Sequence, residues 1–200
     1  MKGYVYLFSI EAIVPEEQPK EHAENIMTPV SFQRSDQKFF KEKPFADLVF
    51  RVQGEEIKAH KAFLAARCSY FNNMFQSGMI EGNSNVIEVP DIKPKTFEAF
   101  LEFIYCGEVT SEDEEIWLDL LELSDKYCMK SLEELCSSSL KGKMSKENVV
   151  KAANLAEKLG MEDLKQEALN FIIGNFDGVF ESQDIRELSR ELLMELFKMK

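Results

Sequence analysis

The sequence predicts a mixed α/β protein, mostly helical, in which a small sheet flanked by helices precedes an all-α extension built of helical hairpins. Three observations predict it. Short strand-like runs bounded by turn residues recur between Asp47 and Val89. Apolar residues at helical spacing fill the stretches around them. From Glu114 onward, only helical patterns remain.

Tyr4–Val14 is aromatic and β-branched enough for a strand, and Pro15–Asn25 reads as a charged linker. An isolated strand cannot bury itself, so it is expected to pair with a sheet edge, belong to a partner protomer, or end a domain lying elsewhere. From Val30 to Glu42, Phe32, Phe39 and Phe40 fall on one helix face, and Pro44 closes that helix. Asp47–Val52 and Glu56–Ala59 form a hairpin around Gln53-Gly54. Short helices follow at Lys61–Arg67 and Ser69–Gln76, then a strand at Asn85–Val89. Pro94 opens a helix carrying Phe97, Phe100, Leu101, Ile104 and Tyr105, and Gly107 ends it.

Further helices carry Ile116, Trp117, Leu120 and Leu121, then Leu132, Leu135 and Cys136. Lys141-Gly142-Lys143 breaks the pattern and marks a boundary. Val149–Leu159, stopped by Gly160, and Leu164–Ile172, stopped by Gly174, form an αα-hairpin, and Asp184–Met199 adds one or two helices. The expected division is therefore 1–29 (strand and linker), 30–141 (α/β domain) and 142–200 (helical extension).

Two hundred residues, 44% hydrophobic and 30% charged, are enough for a real core. Sixteen Phe against one Trp and five Tyr exceed what one core needs, which favours a self-association surface. A net charge of −12 repels a phosphate backbone, so nucleic acid is not an expected partner. Between Ser111 and Leu140, nine carboxylates face two lysines. That excess is either a solvated helix face or a patch that speeds encounter with a basic partner. Cys68, Cys106, Cys128 and Cys136 show neither CxxC pairing nor histidines at ligand spacing, so no zinc site is expected. Three of the cysteines sit beside apolar residues in helical patterns and read as small core fillers. The Tyr4–Ile13 segment contains Glu11 and is too short to span a bilayer; no membrane partner and an intracellular location are expected.

No P-loop, dinucleotide fingerprint or HExxH motif occurs. The Glu pairs Glu55-Glu56, Glu114-Glu115 and Glu133-Glu134 are adjacent in sequence and diverge in space. No catalytic residue, cofactor or metal is expected. One apolar residue is stranded in a Gly-flanked loop, Met79 within Gly78-Met79-Ile80-Glu81-Gly82. A compact domain normally hides such a residue, so its position suggests a surface built to be touched.

Five motifs in order carry a resemblance: Phe45-Ala46-Asp47-Leu48-Val49-Phe50, Ala59–Arg67 (AHKAFLAAR), Tyr70–Phe75 (YFNNMF), Phe103–Gly107 (FIYCG) and Asp125-Lys126-Tyr127. Together they resemble a BTB/POZ domain, and the tail from Ser145 is similar to the start of a BACK domain or three-box, as in the speckle-type POZ adaptors. The resemblance implies a homodimer interface through Phe32, Phe39, Phe40 and Phe63. The residue reading agrees, since that stripe has no obvious partner within the chain. The resemblance also implies a cullin-3 contact through a φ-X-E motif, matched by Met79, Ile80 and Glu81. The implied role is a non-catalytic homodimeric adaptor joining a protein substrate to a cullin-3 RING ubiquitin ligase; the alternative is a BTB scaffold for transcriptional or signalling partners. No kelch array or second β-rich domain is visible to read the substrate. His60, with Asp47 near it in such a fold, reads as half of a structural hydrogen-bond pair. Cys68 stands where relatives commonly place Ser, and Gly82 leaves the Met79 loop less rigid.

Overall fold

The computed structural model describes residues 29–77, 84–181 and 184–199. The order is α1 (Pro29–Glu42), β1 (Leu48–Val52), β2 (Glu55–Ala59), α2 (Lys61–Arg67), α3 (Ser69–Gln76) and β3 (Val86–Val89). Then come α4 (Pro94–Cys106), α5 (Glu114–Lys126), α6 (Lys130–Gly142), α7 (Val149–Lys158) and α8 (Glu162–Gly174). A short α9 (Phe176–Glu181), a 3-10 turn (Asp184–Glu187) and α10 (Arg190–Met199) close the described chain. The expected strand Tyr4–Val14 and linker Pro15–Asn25 lie outside the described residues.

The sheet has order β2-β1-β3. β1 pairs antiparallel with β2, placing Phe50 opposite Ile57, and parallel with β3, placing Phe50 opposite Ile87. Leu48, Phe50 and Val52 alternate inward while Arg51 points out to Glu56 and Glu88, the period of two expected of a sheet with one wet face. The hairpin turns through Gln53 (φ 49°) and Gly54 (φ 91°), both left-handed, which matches the twist of the flanking strands.

α4 runs through the middle. Thr96, Phe97, Ala99, Phe100, Leu101, Phe103, Ile104 and Tyr105 are all buried, so this helix is apolar around most of its circumference. Pro94 occupies its first turn, and Gly107 (φ 74°) ends it by donating its N–H to the Phe103 carbonyl at 2.8 Å.

The helical extension is no loosely tethered satellite. One apolar core runs from β1 to Leu140 and continues into Ala152, Leu155 and Ala156 of α7 and Leu164 of α8. A second cluster, including Val149, Ala153, Leu169, Ile172 and Leu192, fills the far side of the same hairpin. The connection between α6 and α7 is pinned by buried Asn148. Its amide donates to Glu114 (2.6 Å) and to the Lys143 carbonyl (2.7 Å), while its side-chain oxygen accepts from the Ser145 N–H (2.9 Å). Every polar atom of that buried side chain is thereby engaged, as burial requires.

Candidate interaction surface

α1, α2 and the end of α4 bring four aromatic side chains and one imidazole together. Phe39 stacks on Phe63 with centroids 4.9 Å apart, Phe63 stacks on Tyr105 at 4.9 Å, and Phe40 lies tilted against Tyr105 at 5.5 Å. The His60 ring sits 4.4 Å from Phe39. This corrects the expectation that the Phe stripe lacks a partner in its own chain: Phe39, Phe40 and Phe63 are half-buried against the core. The physical reason is the central helix, which presents the flat face of Tyr105 where α1 and α2 converge. Phe32 falls within α1, but its side chain lies outside the described residues.

His60 is structural, with partners other than the one expected. Its Nε2–H donates to the Pro44 carbonyl (2.6 Å), and its Nδ1 is hydrogen-bonded to the Tyr105 hydroxyl (2.7 Å). The same hydroxyl accepts from the His60 backbone N–H at 2.8 Å. Asp47 instead accepts from the Lys61 N–H at 2.8 Å and satisfies one free donor at the start of α2. Arg67 lies over Phe63 (5.2 Å), donates to the Ile104 carbonyl (3.1 Å) and to that of Tyr105, and pairs with Asp36 of α1 (3.1 Å). Gln37 donates to Glu108. These bonds clamp α1 to the end of α4.

The sequence reading missed Phe45 as a surface residue. It is 95% exposed, and its backbone is left-handed (φ 59°), as is that of Lys43 (φ 45°) on the other side of Pro44. Such φ values are uncommon for residues other than glycine. The turn is held because the Pro44 carbonyl is hydrogen-bonded to His60, so the ring projects into solvent beside the Phe39 cluster. No periodicity signals this, because Phe45 precedes β1 in a left-handed turn where strand alternation does not apply.

Burial raises the Tyr105 hydroxyl to about 12, from an ordinary 10. It likewise raises the thiols of Cys106 to about 11 and Cys136 to about 12, from an ordinary 9. These groups are neutral when protonated, and their folded values lie above their unfolded ones. The stability they contribute is therefore present in full below about pH 9 and lost as pH rises towards about 12. Urea unfolding across that range should show a falling midpoint; a flat profile would contradict the burial of these groups. Cys68 and Cys136 are buried core fillers, whereas Cys106 is half-buried and Cys128 exposed.

Residues 37–144, more than half of the chain, match the BTB/POZ domain family. This chain belongs to the BTB/POZ family. Residues 149–200 match the BACK domain, described as BTB And C-terminal Kelch. The BTB domain of zebrafish PATZ1 is similar at 28% identity, over 55% of this chain and 88% of that one, with a TM-score of 0.46. BTB and BACK domains are protein-interaction modules and typically non-catalytic. Among the described residues, no group of three or more His, Cys, Asp or Glu side chains is placed to hold a metal, and no helix is long and apolar enough to cross a membrane.

The other candidate surface of the BTB domain follows α3. Met79, Ile80 and Glu81 lie outside the described residues, so only the approach to them is defined. α3 ends with Ser77 Oγ donating to the Met74 carbonyl (2.8 Å), and Tyr70 is 42% exposed on the same helix, packed edge-on against Tyr127 at 4.8 Å. The acidic stretch is partly neutralised from outside its own window. Lys93 meets Glu115 (2.6 Å) and Asp119 (3.4 Å), Lys151 meets Asp119 (3.1 Å), and Lys143 meets Glu112 (3.0 Å).

Proposed function

We propose that this BTB–BACK chain is a homodimeric adaptor that links protein substrates to a cullin-3 RING E3 ubiquitin ligase. The observation that carries the reading is the BACK hairpin following the BTB helices directly and sharing their core. In the proposed contact Met79 is the deformable apolar anchor for cullin-3, Ile80 the spacer and Glu81 the hydrogen-bond acceptor. Phe32, Phe39, Phe40 and Phe63 form the dimer surface, with Phe45 the most exposed of its described rings. Two copies double ligase and substrate valency, so avidity rises through effective concentration without new contacts. The adaptor works inside the cell, where the ligase is.

Calorimetric titration with a cullin-3 N-terminal domain tests this, beside a Met79→Glu/Glu81→Lys variant shown to stay folded and dimeric. Submicromolar binding by the wild type, lost in the variant, is the expected result. Absence of binding by the wild-type dimer would sink the ligase reading and leave a BTB scaffold for transcriptional or signalling partners.

A further inference from the structure

The α4–α5 connection contains Thr110-Ser111-Glu112-Asp113-Glu114-Glu115, a hydroxyl residue followed by four consecutive acids. It has no regular secondary structure from Glu108 to Asp113, the kind of segment an enzyme can engage as an extended strand. The two hydroxyls differ. Thr110 is committed, its N–H and Oγ1 both bonding to Glu102 at 3.0 and 2.9 Å. Ser111 Oγ only accepts, from the Asp113 N–H at 3.2 Å, and its own proton has no acceptor among the described residues.

Ser111 opens onto a cleft of about 470 Å³ between the end of α1 and the start of α4, lined by Lys41, Lys43 and Lys95. In a chain of net charge −12, these three lysines have no salt bridge among the described residues, although others pair across the fold. Lys43 lies 5.0 Å from the Phe40 ring, and burial lowers its pKa despite the nearby Glu98 carboxylate. The cleft therefore sets three lysines without salt bridges against two carboxylates, Glu98 and Glu102, beside a serine preceding acids.

We propose that Ser111 is a phosphorylation site for an acidophilic serine/threonine kinase, and that Lys41, Lys43 and Lys95 hold the resulting phosphate. The kinase transfers the γ-phosphoryl group of ATP: the Ser111 O–P bond forms, the β–γ P–O bond breaks, ADP leaves, and the hydroxyl proton passes to the kinase's base. The dianion then forms charge-assisted hydrogen bonds to ammonium groups on two other elements and latches the connection to α1. This goes beyond the adaptor reading and holds whether or not the chain binds cullin.

The test incubates the full chain with ATP, magnesium and a kinase of the casein kinase 2 type. Intact-mass measurement should show one added phosphate, absent in Ser111→Ala. Phosphorus NMR then follows the second phosphate ionisation in the wild type and in a Lys41→Gln/Lys43→Gln/Lys95→Gln variant. The wild-type midpoint should lie lower by about 0.5 pH unit or more, since opposite charge favours the dianion. Glu98 and Glu102 line the same cleft, and Glu112 and Asp113 adjoin Ser111; they act equally in both proteins, so the difference isolates the lysines. A Lys41→Gln/Lys95→Gln variant keeps half-buried Lys43 in place should the triple variant fold poorly, and arginine at all three positions should restore the low midpoint. Failure of the folded chain to take phosphate, phosphate that survives Ser111→Ala, or equal midpoints would each overturn the proposal.

Discussion

Trp117→Ala is expected to lower folding stability by ~3–5 kcal/mol, a large share of what holds a domain together. The ring is 4% exposed and lies in the core that the BTB and BACK helices share. Its Nε1–H donates to the Ser111 carbonyl at 2.9 Å, and Lys143 sits 5.6 Å from its centroid. Truncation removes dispersion contacts, leaves a cavity, and frees a carbonyl that helped to fix the start of α5. At about 2–4 °C per kcal/mol for a chain of this size, the melting temperature should fall by roughly 6–20 °C. Calorimetry should also show a single transition for the wild type, since one core crosses the BTB–BACK connection. Two separate wild-type transitions, or a loss under 1 kcal/mol in the variant by the same ~3–5 kcal/mol yardstick, would contradict the shared core.

Phe45→Asn is expected to weaken the proposed dimer by about 2 kcal/mol, roughly thirtyfold in its dissociation constant. The replacement suits the site because asparagine tolerates the left-handed backbone that Phe45 adopts at φ 59°. With the ring 95% exposed in the single chain, its loss should leave the folded protomer nearly unchanged. Substituting Phe63 is a less clean test, since that ring packs between Phe39 and Tyr105 and its removal disturbs the protomer itself. Sedimentation across a concentration series measures the effect. An unchanged dissociation constant would remove Phe45 from the interface, and a monomeric wild type would remove the interface.

Much of the fold was legible because its signals are local. Pro94 and Gly107 bracket α4 by backbone chemistry that acts within one turn. Gln53-Gly54 sets the hairpin through two left-handed residues, and the even-numbered apolar positions of β1 announce which face turns inward. The candidate site was less legible. The helical spacing of Phe39 and Phe40 places both on one face, but what that face meets depends on α4, more than fifty residues away in sequence. A composition window counted the acids of α5 and α6 and missed Lys93, Lys143 and Lys151, which lie outside it.

By itself the sequence determined the order and type of most elements, though not the short α9, and with them the small sheet, the helical extension and the positions where the chain turns, since periodicity and turn residues act over a few bonds. The tertiary structure decided the rest. It chose Tyr105 and Pro44 over Asp47 as the partners of His60, half-buried the Phe cluster, left Phe45 in solvent, and ran one core across a connection that reads as a break. Each of these outcomes pairs groups that are distant along the chain, and such pairing is settled only when helices pack and buried polar atoms must find the partners within reach.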